Sequence, residues 1–176
     1  CAETEKGIEQ RVHPTLVPLH APIAEVDGVF NALQVEGDAV GSVFIEGRGA
    51  GEGPTASAVV ADLVDIARGA YLNPFVLSAS RLGKAKIVPM KQMSMPYYLR
   101  LKVEDQAGVL ADIASAFRDA GISVSSLIQH GHQSHEPVDI VIVTHATPEE
   151  NMQRALKRIS ALGSIINTPN MIRIAL

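Results

Sequence analysis

The chain has 176 residues, enough for one large domain or two small ones, and its 47% hydrophobic content without tryptophan predicts an aliphatic core. A net charge of −4 argues against a nucleic-acid partner, and the sequence has no apolar run of membrane-spanning length, so we expect no membrane partner. Its single cysteine, Cys1, allows no internal disulfide and indicates a reducing cytoplasm.

The first predicted elements are short and are separated by proline and glycine. Residues 11–26, RVHPTLVPLHAPIAEV, carry three prolines, which is typical of extended or turn-rich backbone. Two strands are predicted at 29–36 and 39–46, and a two-residue Gly-Asp turn joins them. Both strands have apolar residues on both faces, so we expect each face to be covered.

A helix is predicted next, from about Pro54 to Arg68, because proline favours the first turn of a helix. Two strands and one helix cannot enclose a core of their own. We therefore expect this region to pack against a second copy or against protein upstream of Cys1. Residues 70–96 follow; they contain three prolines and little periodicity, and are interpreted as a linker.

Residues 97–176 have the clearest pattern. The alternating segment 97–103, YYLRLKV, predicts a half-buried strand, and a helix with apolar residues at helical spacing follows and ends at Gly121. Two more strands, a helix between Pro148 and Gly163, and a last strand complete the order β-α-β-β-α-β. This order predicts a ferredoxin-like sandwich of two helices on a four-stranded antiparallel sheet, within an α+β chain.

Four alternating glycines precede the first predicted helix, in the segment 47–63, GRGAGEGPTASAVVADL. Glycine lets backbone approach a ligand closely, and a helix N-terminus offers N–H donors to a polar group. The pattern fits neither the G-x-G-x-x-G fingerprint nor a P-loop. From spacing alone, a ligand contact and a tight strand-to-helix turn both remain open.

Two further motifs have an ordinary and a functional interpretation. The turn 105–110, DQAGVL, is either a plain strand-to-helix turn or a seat for the carboxylate of a small zwitterion. The histidines at 130, 132 and 135 suggest a metal site, but no cysteine or paired carboxylate accompanies them, so a solvated hairpin tip is favoured and no metal is expected. No ordered catalytic constellation is visible, and no catalytic residue is assigned.

The motifs RVHPTLVP, VFNA, GDAVG and GAGEGPTASAVVADL together resemble the C-terminal part of the catalytic domain of the homoserine dehydrogenase family, over residues 8–68. Residues 97–129 resemble an ACT domain, the amino-acid-sensing module that many bacterial members carry. The resemblance implies that 1–69 is the end of an α/β catalytic and dimerisation domain, here incomplete, that 70–96 is a linker, and that 97–176 is a regulatory ACT domain.

The resemblance implies an enzyme that interconverts L-homoserine and L-aspartate 4-semialdehyde with NADP or NAD, in the biosynthesis of threonine and methionine. Its Rossmann domain, its catalytic lysine and its acidic substrate-binding residues are expected upstream of Cys1, so the chain alone is expected to be inactive. The chain starts with cysteine rather than methionine, which indicates a processed chain or a piece of a longer one. The resemblance also implies a cytoplasmic homo-oligomer.

The resemblance assigns two sets of site residues. Positions implied to contact the nicotinamide cofactor are Gly49, Ala50, Gly51 and Thr55. Positions implied to bind an amino-acid effector, with threonine expected, are Asp105, Ala107, Gly108, Val109, Leu110, Ile122 and Ser123. Ala107 stands where proline is common, and Ser123 stands where many such domains have asparagine, whose amide has one more hydrogen-bonding atom.

Two interpretations from other classes stay open beside the dehydrogenase segment. One is a non-catalytic amino-acid-binding module that acts on separate partners. The other is a structural ACT dimeriser without a ligand. An upstream Rossmann region with its lysine would distinguish the first from the dehydrogenase, and a response to amino acids would distinguish the two from each other.

Overall fold

A computed structural model describes residues 1–70, 77–130 and 137–175. The chain forms two compact units: Cys1–Leu16 together with Ala85–Leu176, and Val17–Lys84. Three α-helices and eleven strands occur in the described residues. They are β1 Ala2–Thr4, β2 Gly7–Glu9, β3 Thr15–Leu16, β4 Phe30–Gly37, β5 Gly41–Arg48, α1 Glu52–Ala67, β6 Ser94–Met95, β7 Tyr97–Val103, α2 Val109–Ala120, β8 Val124–His130, β9 Val138–Thr144, β10 Thr147–Pro148, α3 Glu149–Ile159 and β11 Asn170–Ile174.

The unit Val17–Lys84 contains the β4–β5 hairpin and α1. The hairpin loop has three residues rather than the predicted two, because Gly37 pairs with Gly41. Gly41, the first residue after the loop, has a φ of +72°, in the left-handed region that favours glycine. Helix α1 starts two residues before Pro54 and has no buried residue, so its apolar side chains are left uncovered within the described structure.

The other unit is built on a five-stranded sheet in the order β3-β11-β7-β9-β8. Among β11, β7, β9 and β8, each strand is antiparallel to its neighbour, whereas β3 is parallel to β11. Helices α2 and α3 pack on each other and share the aliphatic core of the sheet. The predicted α+β class with a ferredoxin-like βαββαβ arrangement is confirmed, and β3 extends the sheet by one strand.

The core of this unit is formed where the strand alternation is strictest. In β7, every second side chain is buried: Tyr97, Leu99 and Leu101 are 0% exposed, and the residues between them point away from the helices. Residues 88–95, within the predicted linker, also belong to the packed unit. Val88, Met93 and Met95 are buried, and β6 pairs with β10.

Candidate functional site

A cavity of about 190 Å³ lies where β7 ends and α2 begins. It contains most of the positions predicted to bind an effector. Its lining residues are Val103, Glu104, Asp105, Gln106, Ala107, Gly108, Val109, Leu110, Gln129, Val138 and Ile140. Val109 is 6% exposed and closes the base, while Asp105, Ala107 and Gly108 are exposed at the rim. The cavity therefore has an apolar floor and a polar, backbone-rich edge.

The shape of this turn depends on Gly108. Its φ is +97°, in the region that favours glycine, and it is the N-cap of α2 without any side-chain capping bond. The first helical hydrogen bond runs from the amide of Asp112 to the carbonyl of Gly108, over 3.0 Å. Amides in the first turn of α2 therefore have no acceptor within the helix, and they carry the positive end of its dipole. This edge suits a carboxylate.

Gln129 belongs to the same cavity but was absent from the predicted set. It pairs across the sheet with Ile140, which is 1% exposed, so its side chain is on the helix-covered face of β8. A side-chain amide there can both donate and accept a hydrogen bond. The sequence contains a signal for it, because strand alternation after Leu127 puts a polar residue at an inward-facing position.

Ile122 and Ser123 do not line this cavity. They line a second, more open hollow of about 420 Å³ between the end of α2 and the start of β8. Ile122 is 7% exposed, whereas Ser123 is exposed. Within one chain, the structure therefore separates the predicted effector residues into a group at the β7–α2 turn and a pair at the α2–β8 turn.

The glycine-rich turn lies in the other compact unit, between β5 and α1. Gly51 is the N-cap of α1, with φ 120° and ψ 152°, a conformation that is essentially restricted to glycine. A Cβ on Gly49 would overlap the side-chain amide of Asn31. The amide of Thr55 donates to the carbonyl of Gly51 over 3.1 Å and forms the first helical bond. Gly49, Ala50, Gly51 and Thr55 are all exposed.

A buried ionic network lies at the other end of β7 from the effector cavity. Glu149, 5% exposed, accepts hydrogen bonds from Tyr97 Oη at 2.8 Å and from Gln153 Nε2 at 2.8 Å, and it pairs with Arg173. Burial would raise the pKa of Glu149, but the hydrogen bonds from Arg173, Gln153 and Tyr97 outweigh it and the pKa is lowered. Burial, followed by the bond to Glu149, raises the pKa of Tyr97. Every partner in this network is satisfied, which indicates a structural role.

Other possible sites find less support. Among residues 1–70, 77–130 and 137–175, no three histidine, cysteine, aspartate or glutamate side chains come together as metal ligands. His132 and His135 lie outside the described residues. In the described part of the chain, none of the helices has both the length and the apolar character needed to cross a membrane.

Both halves of the chain match known families. Residues 1–64 match the family model for homoserine dehydrogenase, and residues 97–164 match that for the ACT domain. The homoserine dehydrogenase of Neisseria gonorrhoeae is 41% identical over 177 residues, covering 97% of this chain and 41% of the relative. That of Pseudomonas aeruginosa is 39% identical over 178 residues, with the same coverage.

The crystal structure of a homoserine dehydrogenase from Thiobacillus denitrificans is similar in both sequence and fold. It superposes with a TM-score of 0.86 at 42% identity, covering 98% of this chain and 40% of that one. The chain thus spans about two fifths of the length of the relatives that it matches.

Proposed function

Because residues 1–64 belong to the homoserine dehydrogenase family and residues 97–164 to the ACT-domain family, we propose that the chain is the regulatory and cofactor-closing region of a homoserine dehydrogenase. The full enzyme would interconvert L-homoserine and L-aspartate 4-semialdehyde in the cytoplasm, on the route to threonine and methionine. The observation that carries this proposal is the 41% identity over nearly the whole chain. The catalytic lysine and the Rossmann domain would be supplied by upstream sequence.

The nicotinamide cofactor, NADP or NAD, would meet this chain at the glycine-rich turn. The exposed backbone at Gly49 and Gly51 and the start of α1 fit a polar cofactor group, because these two residues have no Cβ to obstruct the approach and the first-turn amides have no acceptor within the helix. The cofactor would supply or accept the hydride. The role of this chain would be to contact one side of the cofactor through Gly49, Ala50 and Gly51, with the Thr55 hydroxyl nearby at the start of α1.

A pair of glycine variants tests the cofactor role. In an enzyme that includes the upstream region, Gly51→Val is expected to weaken cofactor binding by at least about tenfold, since valine cannot adopt the Gly51 backbone without strain. Gly53→Ala is the control, because a Cβ there meets nothing within 4 Å and the φ is not positive. Fluorescence titration with NADPH and NADH measures both. Equal affinity of the two variants would contradict the proposal.

We propose that the cavity at the β7–α2 turn binds an amino-acid effector, with threonine as the expected one. The α-carboxylate would accept hydrogen bonds from first-turn amides of α2 that follow Val109, such as that of Leu110, and Gln129 would bond the side chain of the effector. Asp105, which is exposed and lines the cavity, would attract the α-ammonium group. Ala107 and Leu110 contribute apolar contact on either side.

A second copy of the chain would complete this site. Ile122 and Ser123 line a separate hollow in one chain, so they reach an effector at the turn only if it is the partner's turn. Strand β8 is an edge strand whose apolar side chains Leu127 and Ile128 are 45% and 49% exposed. An unpaired apolar edge favours pairing with another strand. We therefore propose a homo-oligomer joined along β8.

Thermal unfolding with threonine, isoleucine, methionine, serine and no ligand tests the effector. A ligand at about a hundredfold its Kd stabilises by about 2.7 kcal/mol, which raises Tm by several degrees. Gln129→Ala should abolish the rise, and Gln92→Ala, an exposed glutamine outside the cavity, should keep it. The proposed homo-oligomer has its own test: Ile128→Lys puts a charge on the β8 edge and should reduce the mass seen in analytical ultracentrifugation. No Tm shift with any amino acid would exclude sensing by this chain alone.

A further inference from the structure

A second polar groove lies on the face of the sheet that the helices leave open. Along β7, Leu99 and Leu101 point into the core, so the alternate residues Arg100 and Lys102 point to the opposite face and are exposed. They line a groove of about 260 Å³, here named the open-face groove. Its lining residues are Arg100, Lys102, Asp139, Asn167, Thr168 and Asn170.

Strand pairing fixes the positions of these groups. Lys102 is directly opposite Asp139 on β9, and Arg100 is directly opposite Asn170 on β11. The amide of Ile166 donates to the carbonyl of Lys102 over 2.9 Å, which ties the loop carrying Asn167 and Thr168 to the end of β7. The side chains thus come from two strands and from a loop that is anchored by a backbone bond.

In the described structure the charged side chains of the groove are not closed into ion pairs, although Lys102 and Asp139 face each other across two strands. Among the described residues, none of the ion pairs within 4.0 Å includes Arg100, Lys102 or Asp139. Arg100 and Lys102 are two residues apart on one strand, so their Cα atoms are about 7 Å apart and the two cations repel each other. An anion between them would relieve that repulsion.

A ligand that is only anionic fits the groove poorly, because Asp139 would repel it, and a simple cation would be repelled by Arg100 and Lys102. A molecule with both charges matches all three groups. The neutral side chains of Asn167, Thr168 and Asn170 add donors and acceptors for a polar substituent. We propose that the open-face groove binds a free α-amino acid, with its carboxylate on Arg100 and Lys102 and its ammonium on Asp139.

This groove is independent of the effector cavity at the β7–α2 turn. Gln129 and Ile140 of that cavity are on the helix-covered face of the sheet, whereas Arg100 and Asp139 are on the open face. Neither proposal requires the other. A chain with both sites would carry two amino-acid sites on opposite faces of one sheet.

The test is a titration of the full, ¹⁵N-labelled chain with glycine and with L-threonine, followed by amide chemical shifts. We expect saturable shifts at residues 100, 102, 139 and 167–170. Lys102→Gln and Asp139→Asn should each weaken this binding by about tenfold or more, because each removes a charged hydrogen-bond partner. Lys157→Gln on α3, an exposed lysine on the helix side, is the matched control and should leave it unchanged. Thermal unfolding of each variant checks that the fold is kept.

Acetate and methylamine separate the two halves of the zwitterion. Each should bind more weakly than glycine. Higher ionic strength should weaken the binding of all three compounds, because the two cationic side chains of the groove are exposed. Acetate binding as tight as glycine would overturn the zwitterion assignment. Shifts confined to residues 105–110 and 129 would overturn the open-face site and support the effector cavity. Shifts confined to the open-face groove would support the open-face site and contradict the effector cavity. No shift at the groove with any probe would overturn the proposal.

Discussion

The guanidinium of Arg173 holds the carboxylate of Glu149 by two hydrogen bonds, from Nε to Oε2 over 2.9 Å and from Nη2 to Oε1 over 2.6 Å. Their side chains are only 19% and 6% exposed. Tyr97 donates a third bond to the same carboxylate, so one buried anion joins β11, α3 and β7. This network links α3 to β7, in the interior of the sheet.

Removal of the Glu149 charge should destabilise the fold strongly. Glu149→Ala leaves the partly buried Arg173 without its partner and the buried Tyr97 without an acceptor, and breaking a buried pair in this way costs up to about 3–5 kcal/mol. The free energy of unfolding from urea titration measures it. Asp119→Asn is the comparison, since the pair of Asp119 with Arg158 is partly exposed and should matter much less. Similar losses in both variants would contradict the structural role of the network.

The same network predicts an acid-dependent contribution to stability. The pKa of Glu149 is lowered in the folded state from its ordinary value of 4.5, so the folded chain binds this proton less readily than the unfolded chain. Its contribution is therefore complete above pH 4.5 and is lost as the pH falls through the lowered pKa. The difference in free energy of unfolding between the wild type and Glu149→Gln should be constant near neutral pH and shrink in acid. A difference that grows in acid would reverse the sign of the shift.

Two buried threonines provide a matched pair. Thr144 Oγ1 accepts a hydrogen bond from the amide of Tyr97 over 3.1 Å, whereas Thr147 Oγ1 has no partner among the described residues. Thr144→Val should cost about 1–3 kcal/mol, because it leaves a buried N–H unpaired. Thr147→Val should be neutral or stabilising, because it removes a buried unpaired hydroxyl. Thermal unfolding of both variants measures this, and an equal loss in each would contradict the assignment.

The local sequence pattern was sufficient to predict an element where one face of it is buried and the other is exposed to solvent. The alternation of β7 and the helical spacing before Gly121 predicted elements whose described bounds, Tyr97–Val103 and Val109–Ala120, agree closely with the expectation. In both cases the position of each side chain is decided by burial against a core within the same unit. The resemblance to the family added the residues of the two candidate sites, which periodicity does not identify.

The remaining elements depend on long-range pairing. Strand β3 has two residues and pairs in parallel with β11, more than 150 positions later, so nothing in its neighbourhood predicts it. The β1–β2 hairpin turns at Glu5-Lys6, which lacks the Asn-Gly or Gly-Gly signal of a tight hairpin. Val88, Met93 and Met95 become buried through contacts distant in sequence, because Val88 bonds to Ile8, residues 90–92 lie against α3 and β6 pairs with β10. Strand alternation indicates that Gln129 faces inward, but only the folded structure shows that it lines the same cavity as the β7–α2 turn.

Gly121 and Gly163 test backbone conformation separately from packing. A Cβ at either position meets nothing within 4 Å, but only Gly121, which ends α2, has a positive φ, of +72°. Gly121→Ala should cost about 1–2 kcal/mol from left-handed strain, with packing unchanged. Gly163→Ala should be neutral or stabilise by up to about 1 kcal/mol, because it narrows the unfolded ensemble without strain. Urea unfolding with a common m-value measures both free energies. Equal effects would contradict the role of the positive φ at Gly121. A loss confined to Gly121→Ala would show that the left-handed cap stabilises the end of α2, directly before Ile122 and Ser123.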